Sequence, residues 1–191
     1  MLVVALSAFV VLSLAALFVD MVGMDTAIRG WILATSSATV MDVMRVVNVA
    51  GDWKFLLPAT LLLLGVFDHA RRTWWVWIAL MAIAPLAEAA LKIAVGRARP
   101  EAASYGFPSG HATAAAAYFG AVLYLAESLR PGPRTAVRVV AVIMMVLVAI
   151  ARVMLRAHWP SDVLGGLALG LALASIAAVL ATRRGATASA A

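Results

Sequence analysis

The segment Arg152-Val-Met-Leu-Arg-Ala-His158-Trp-Pro-Ser-Asp162 separates two apolar runs, residues 137–151 and 163–181. Polar groups at membrane depth are expensive and usually mark a site. Asp162 stands four positions after His158, so the carboxylate lies about one helical turn from the imidazole and can fix its tautomer. Arg152 adds a planar fork that suits phosphate oxygens.

Two further stretches carry the same kind of chemistry. Lys92-Ile-Ala-Val-Gly-Arg-Ala-Arg99-Pro100 closes an apolar run, with its two outer cations seven residues apart, two helical turns if the helix survives Gly96. Pro108-Ser109-Gly110-His111 opens the next run. Pro and Ser start helices, and Gly110 lets an anion approach backbone N–H groups at the helix N-terminus. Taken together, three cations and a helix N-terminus make a cradle for a doubly charged phosphate. The histidines supply a nucleophile and an acid, and the aspartate orients one of them.

These groups need elements that bring them to one place. The chain has 191 residues, 65% of them hydrophobic, with a mean hydropathy of +1.02. That composition describes an all-α integral membrane protein with room for about six spans of roughly 20 residues. Residues 1–19, 53–67, 73–95, 109–126, 139–154 and 160–182 read as those spans, with Trp74, Trp75 and Trp77 as an interfacial belt. Residues 20–52 carry Asp25, Arg29, Asp42, Arg45, Asn48 and Asp52 at near-helical spacing, as amphipathic helices at the interface or over the bundle do. Residues 68–72 and 130–138 read as polar turns and 183–191 as a disordered tail, leaving 1–182 as one membrane-embedded domain.

Parity places the loops at 20–52, 96–108 and 156–162 on one face, and 68–72, 127–138 and the tail on the other. The basic residues of the second face are expected in the cytoplasm, so the site faces the periplasm or exterior of a cytoplasmic membrane. The formal charge of +6 is spread over short loops, which points to anionic lipid rather than nucleic acid. Cysteine is absent, which excludes disulfides and thiolate metal sites.

The three stretches resemble the signature of the type 2 phosphatidic acid phosphatase superfamily: K-x6-R-P, P-S-G-H and S-R-x5-H-x3-D. Here they stand as Lys92…Arg99-Pro100, Pro108-Ser109-Gly110-His111 and Arg152…His158…Asp162. Ala151 replaces the usual serine, and Arg156 occupies a position that is often glycine. The resemblance implies a helical bundle of the acid phosphatase and vanadium haloperoxidase type, acting without metal or other cofactor. It implies that His158 attacks phosphorus and Asp162 orients it. His111 then protonates the leaving oxygen and later activates water, while Lys92, Arg99, Arg152 and the Ser109-Gly110 backbone hold the phosphoryl oxygens. Such chemistry needs positioning and charge stabilisation above all, which three cations can supply.

The expected partner is a phosphorylated lipid of the bilayer, with undecaprenyl diphosphate first. Phosphatidylglycerophosphate, phosphatidic acid and lipid A phosphate are the rivals. A lipid phosphotransferase and a non-catalytic scaffold or transporter are the alternatives from other classes. Glu88 is expected to pair with Lys92 at helical spacing. Arg156 is expected either to read a second phosphate of the substrate or to contact headgroups or Glu101. Asn48 and Asp52 either line the site or cap a helix, His69 is a turn residue on the far face, and Gly165, Gly166 and Gly170 permit close helix packing.

Overall fold

The computed structural model describes residues 1–19 and 21–188, which form nine α-helices. Six coincide with the expected apolar runs: α1 (Leu2–Phe18), α4 (Trp53–Val66), α6 (Trp74–Val95), α7 (Gly110–Leu125), α8 (Pro131–Met154) and α9 (Pro160–Ala188). The amphipathic stretch folds as α2 (Val22–Ala34) and α3 (Ala38–Val49), and α5 is the short helix Asp68–Arg72. Large apolar side chains such as Val3, Leu61, Leu86 and Ile93 stay exposed, as a bundle facing lipid requires.

The expectation of six complete crossings is narrowed. Among the described residues, α6, α8 and α9 alone are long and apolar enough to span a membrane. The pairs α1 with α2 and α3 with α4 reach that length only as units bent by 112° and 54°. The physical reason is rise: 17, 14 and 16 residues in α1, α4 and α7 give about 21–26 Å, short of a hydrocarbon core of about 30 Å.

Helix α7 lies at the centre, with Ala112, Ala115, Ala116 and Ala117 all at 0% exposure. Small residues let α9 approach it closely. A Cβ built on Gly166 would meet the Ser109 carbonyl oxygen at 2.5 Å and Ala112 Cβ at 2.9 Å, and one on Gly170 would clash with the Thr113 carbonyl. A Cβ on Gly165 would strike the Phe107 ring. The glycine pattern therefore sets the helix separation, as expected.

Three local expectations are corrected. Residues 131–138 are helical rather than a turn, because Pro131 stands in the first turn, where a missing N–H costs nothing. Residues 68–72 form a helical turn of their own. Helix α9 continues to Ala188, so residues 183–188 are helical and not a disordered tail; 189–191 lie outside the described residues.

Candidate active site

Helix α6 presents Met81, Ala84, Pro85, Glu88 and Lys92 along one stripe to a cavity of about 330 Å³. Gly110, His111 and Ala114 line it from α7, Arg99 from the loop after α6, and Arg152 and His158 from the end of α8 and the turn beyond. Gly51 and Trp53 complete the wall from the turn between α3 and α4. Residues from all three sequence stretches are thus brought to one space. Ser109 and Asp162 stand behind the wall: both are fully buried, and Asp162 reaches the cavity through His158.

The loop after α6 explains how two cations on one short segment diverge. The helix stops at Gly96, which adopts φ +64° and donates its N–H to the Lys92 carbonyl at 2.9 Å. Arg99 is therefore not on a continued helix. Its Nε donates to the Tyr105 carbonyl at 3.0 Å, with an antiparallel bridge between Ala98 and Tyr105 stiffening the loop. Lys92 remains on α6 and forms an ion pair with Glu88, one turn earlier. This is the pairing expected from the sequence.

Arg152 sits in the last turn of α8, where the helix dipole favours a cation. Its Nη1 donates to Asn48 Oδ1 on α3 at 2.7 Å, across 104 residues of sequence. Asp52 has a different task, accepting the Lys54 N–H at 2.9 Å as the N-cap of α4. Asn48 thus holds a cation of the cavity wall, and Asp52 caps a helix beside it. Asn48→Ala should free the guanidinium and lower kcat/KM by about tenfold, the cost of one hydrogen bond to a charged group. Steady-state kinetics with an unchanged melting temperature would check it.

His158 follows α8 in a tight turn and is 1% exposed. Its Nδ1 lies 3.5 Å from Asp162 Oδ2, the outer limit of a hydrogen bond, and the same carboxylate oxygen accepts the Trp159 N–H at 3.1 Å. Burial pushes the His158 pKa down to about 4; Asp162 opposes this, and the charges of Arg152 and Arg99 reinforce it. The imidazole is then neutral at physiological pH, with Nε2 available. Ala151 packs against Met44 and Met154 between α3 and α8 and is absent from the cavity wall.

Arg156 adopts φ +58°, a left-handed conformation that glycine takes without strain, which accounts for glycine's suitability here. Its side chain is exposed, lies off the cavity wall, and reaches Glu101 Oε1 at 3.3 Å. Glu101 also pairs with Arg29, whose hydrogen bond is the main cause holding its carboxyl below the usual range. His69 lies on α5 beside Tyr124, away from this cavity, as expected. Among the described residues no group of three or more His, Cys, Asp or Glu side chains is arranged to hold a metal ion.

Sequence reasoning missed two charged residues beside the site, Arg97 and Asp25. Arg97 lies in the loop after α6, outside the K-x6-R-P pattern, yet it donates to Asp162 Oδ1 at 2.7 Å and to Asp25 Oδ2 at 2.6 Å. The available signals were an acid in the apolar setting of α2 and a second arginine two positions before Arg99.

The geometry defines a class: an integral membrane helical bundle whose helix ends and loops gather three cations and two histidines around a cavity, with a carboxylate behind one imidazole. A family model described as the PAP2 superfamily matches residues 73–186. The chain is 34% identical to phosphatidylglycerophosphatase B of Bacillus subtilis over 69% of its length and 70% of the relative's. It is also 36% identical to a lipid A 1-phosphatase of Rhizobium etli, over 50% of this chain and 44% of that one. A crystal structure of a transmembrane PAP2-type phosphatidylglycerolphosphate phosphatase from Bacillus subtilis superposes with a TM-score of 0.84 at 28% identity, covering 95% of this chain and 96% of that one. The chain belongs to the PAP2 superfamily.

Proposed function

We propose that the protein hydrolyses the terminal phosphate of a membrane phospholipid through a phosphohistidine. One observation carries this: His158, with Asp162 at its Nδ1, shares a single cavity with Lys92, Arg99, Arg152 and the N-terminus of α7. His158 Nε2 forms the N–P bond as the P–O bond to the lipid breaks, and His111 delivers a proton to the leaving oxygen. Water then attacks phosphorus and gives its proton to His111, the N–P bond breaks, and inorganic phosphate leaves. Lys92, Arg99, Arg152 and the Gly110 N–H stabilise the equatorial oxygens throughout.

The substrate reading is a phosphate monoester of the phosphatidylglycerophosphate kind. The names of the relatives support it. A diphosphate lipid such as undecaprenyl diphosphate would use a second anion contact, and Arg156, the residue expected to supply one, is engaged with Glu101 off the cavity wall. Purified protein in detergent with EDTA should release phosphate fastest from phosphatidylglycerophosphate, ahead of phosphatidic acid, lipid A and undecaprenyl diphosphate. Arg156→Ala should lower all four rates alike and by less than about threefold, as for an exposed ion pair. A tenfold loss confined to the diphosphate would reverse the substrate assignment, and strict magnesium dependence would reverse the metal-free mechanism.

The site is assigned to the outer face of the cytoplasmic membrane, on the charge distribution of the loops. A cysteine at Ala102 should react with an impermeant thiol reagent on intact cells, and one at Gly132 only after permeabilisation. The opposite labelling pattern would place the site in the cytoplasm.

A further inference from the structure

We infer that Arg97 and Asp25 are positioning residues for the histidine–aspartate pair, an inference that rests on the reading of His158 as nucleophile. Arg97 is only 11% exposed, and its guanidinium turns away from the phosphate cavity toward the start of α9. Nη1 donates to Asp162 Oδ1 at 2.7 Å and to Ser161 Oγ at 2.6 Å, and Nη2 donates to Asp25 Oδ2 at 2.6 Å. Asp25, at 0% exposure on α2, also accepts the Ser161 N–H at 2.9 Å and the Ser161 hydroxyl at 2.6 Å.

The division of oxygens on Asp162 gives this network its consequence. Oδ1 is held by Arg97, which leaves Oδ2 for His158 Nδ1 and the Trp159 N–H. A carboxylate pinned at one oxygen by a fork, itself pinned by a second carboxylate, cannot rotate away as the imidazole gains charge. Gly106 completes the fit: a Cβ there would lie 2.6 Å from Asp162 Oδ2, so the backbone closes the remaining side. By formal charge, one guanidinium against two carboxylates leaves a net negative cluster of Arg97, Asp25 and Asp162 behind the ring where positive charge develops. A cation that only neutralised Asp162 would forfeit that charge. Asp25 restores it, which explains a second buried acid reaching across from α2. Neither residue faces the cavity, so neither belongs to the phosphate cradle.

The test is a double-mutant cycle on dioctanoyl phosphatidic acid in detergent, with Arg97→Lys, Asp25→Asn, Asp162→Asn and the combinations. Arg97→Lys keeps the charge but loses the fork, so kcat should fall about 10–100-fold while KM moves less than about threefold, the cradle being intact. Asp25→Asn should lower kcat about fivefold or more, and in the Asp162→Asn background either change should cost less than about twofold, since the residue they act through is gone. Additive losses, a loss confined to KM, or unchanged kcat in the single variants would overturn the inference. If Arg97→Lys loses its monodisperse elution and melting transition, Asp25→Asn and Ser161→Ala carry the same cycle with smaller perturbations. Full activity in His158→Ala would overturn the underlying mechanism instead. Inactive His158→Ala with no coupling between Arg97 and Asp162 would overturn this inference alone.

Discussion

His158→Ala should abolish phosphate release, lowering kcat by about 10³-fold or more, because the imidazole forms the covalent bond and no neighbouring group can replace it. The bundle should stay folded. Asp162 keeps its contacts with Arg97 and the Trp159 N–H, so removing the ring leaves no unpaired buried charge. His111→Ala should fail differently. With a good leaving group such as p-nitrophenolate, phosphorylation of His158 needs no acid, but activation of water does need a base. A labelled, acid-labile and base-stable phosphoenzyme should therefore accumulate in His111→Ala and be missing in His158→Ala. Label on another residue, or substantial turnover without His158, would refute the assignment.

Gly166→Ala should damage both stability and activity, and for one reason. The added methyl would sit 2.5 Å from the Ser109 carbonyl oxygen, 2.9 Å from Ala112 Cβ and 3.2 Å from the Thr113 nitrogen. Two of those atoms are backbone, so no side chain can swing aside and α9 must move off α7, at a cost of about 1–3 kcal/mol. That movement pulls on the site directly, since the Ser109 N–H donates to the Asp162 carbonyl at 2.9 Å and His111 follows two residues later. A lowered melting temperature together with a lowered kcat is expected. Gly132→Ala is the control: nothing lies within 4 Å of its Cβ, and alanine there should be neutral or mildly stabilising. Unchanged stability in Gly166→Ala would show that the α7–α9 contact is looser than the structure has it.

The residues that can do phosphate chemistry were legible because their signals are local. A lysine one turn after Glu88, a Pro-Ser-Gly-His helix start, and an Asp four residues after a His each follow from helical geometry within a few positions. The apolar runs were legible for the same reason, since hydropathy sums over neighbours. Parity also brought the right loops together, as contacts of Glu101 with Arg29 and with Arg156 bear out.

The K-x6-R-P pattern singles out Arg99 for the phosphate, but only tertiary structure decided what Arg97, two residues before it, does. Arg99 enters the cavity because the loop turns at Gly96 and doubles back on Tyr105; Arg97 points the other way, into the carboxylates. No spacing rule gives Arg97 those partners. The same holds for Asp25, paired with Ser161 across 136 residues, and for Asn48, paired with Arg152 across 104. Amphipathic periodicity put both acceptors on helices over the bundle, but the angle at which α2 and α3 dock chose their partners. The helix packing set by Gly166 and Gly170 fixes where α9 begins relative to α7, and the position of Asp162 follows from it. Short-range patterns named the reacting groups, while long-range packing set the angles and charges under which they act.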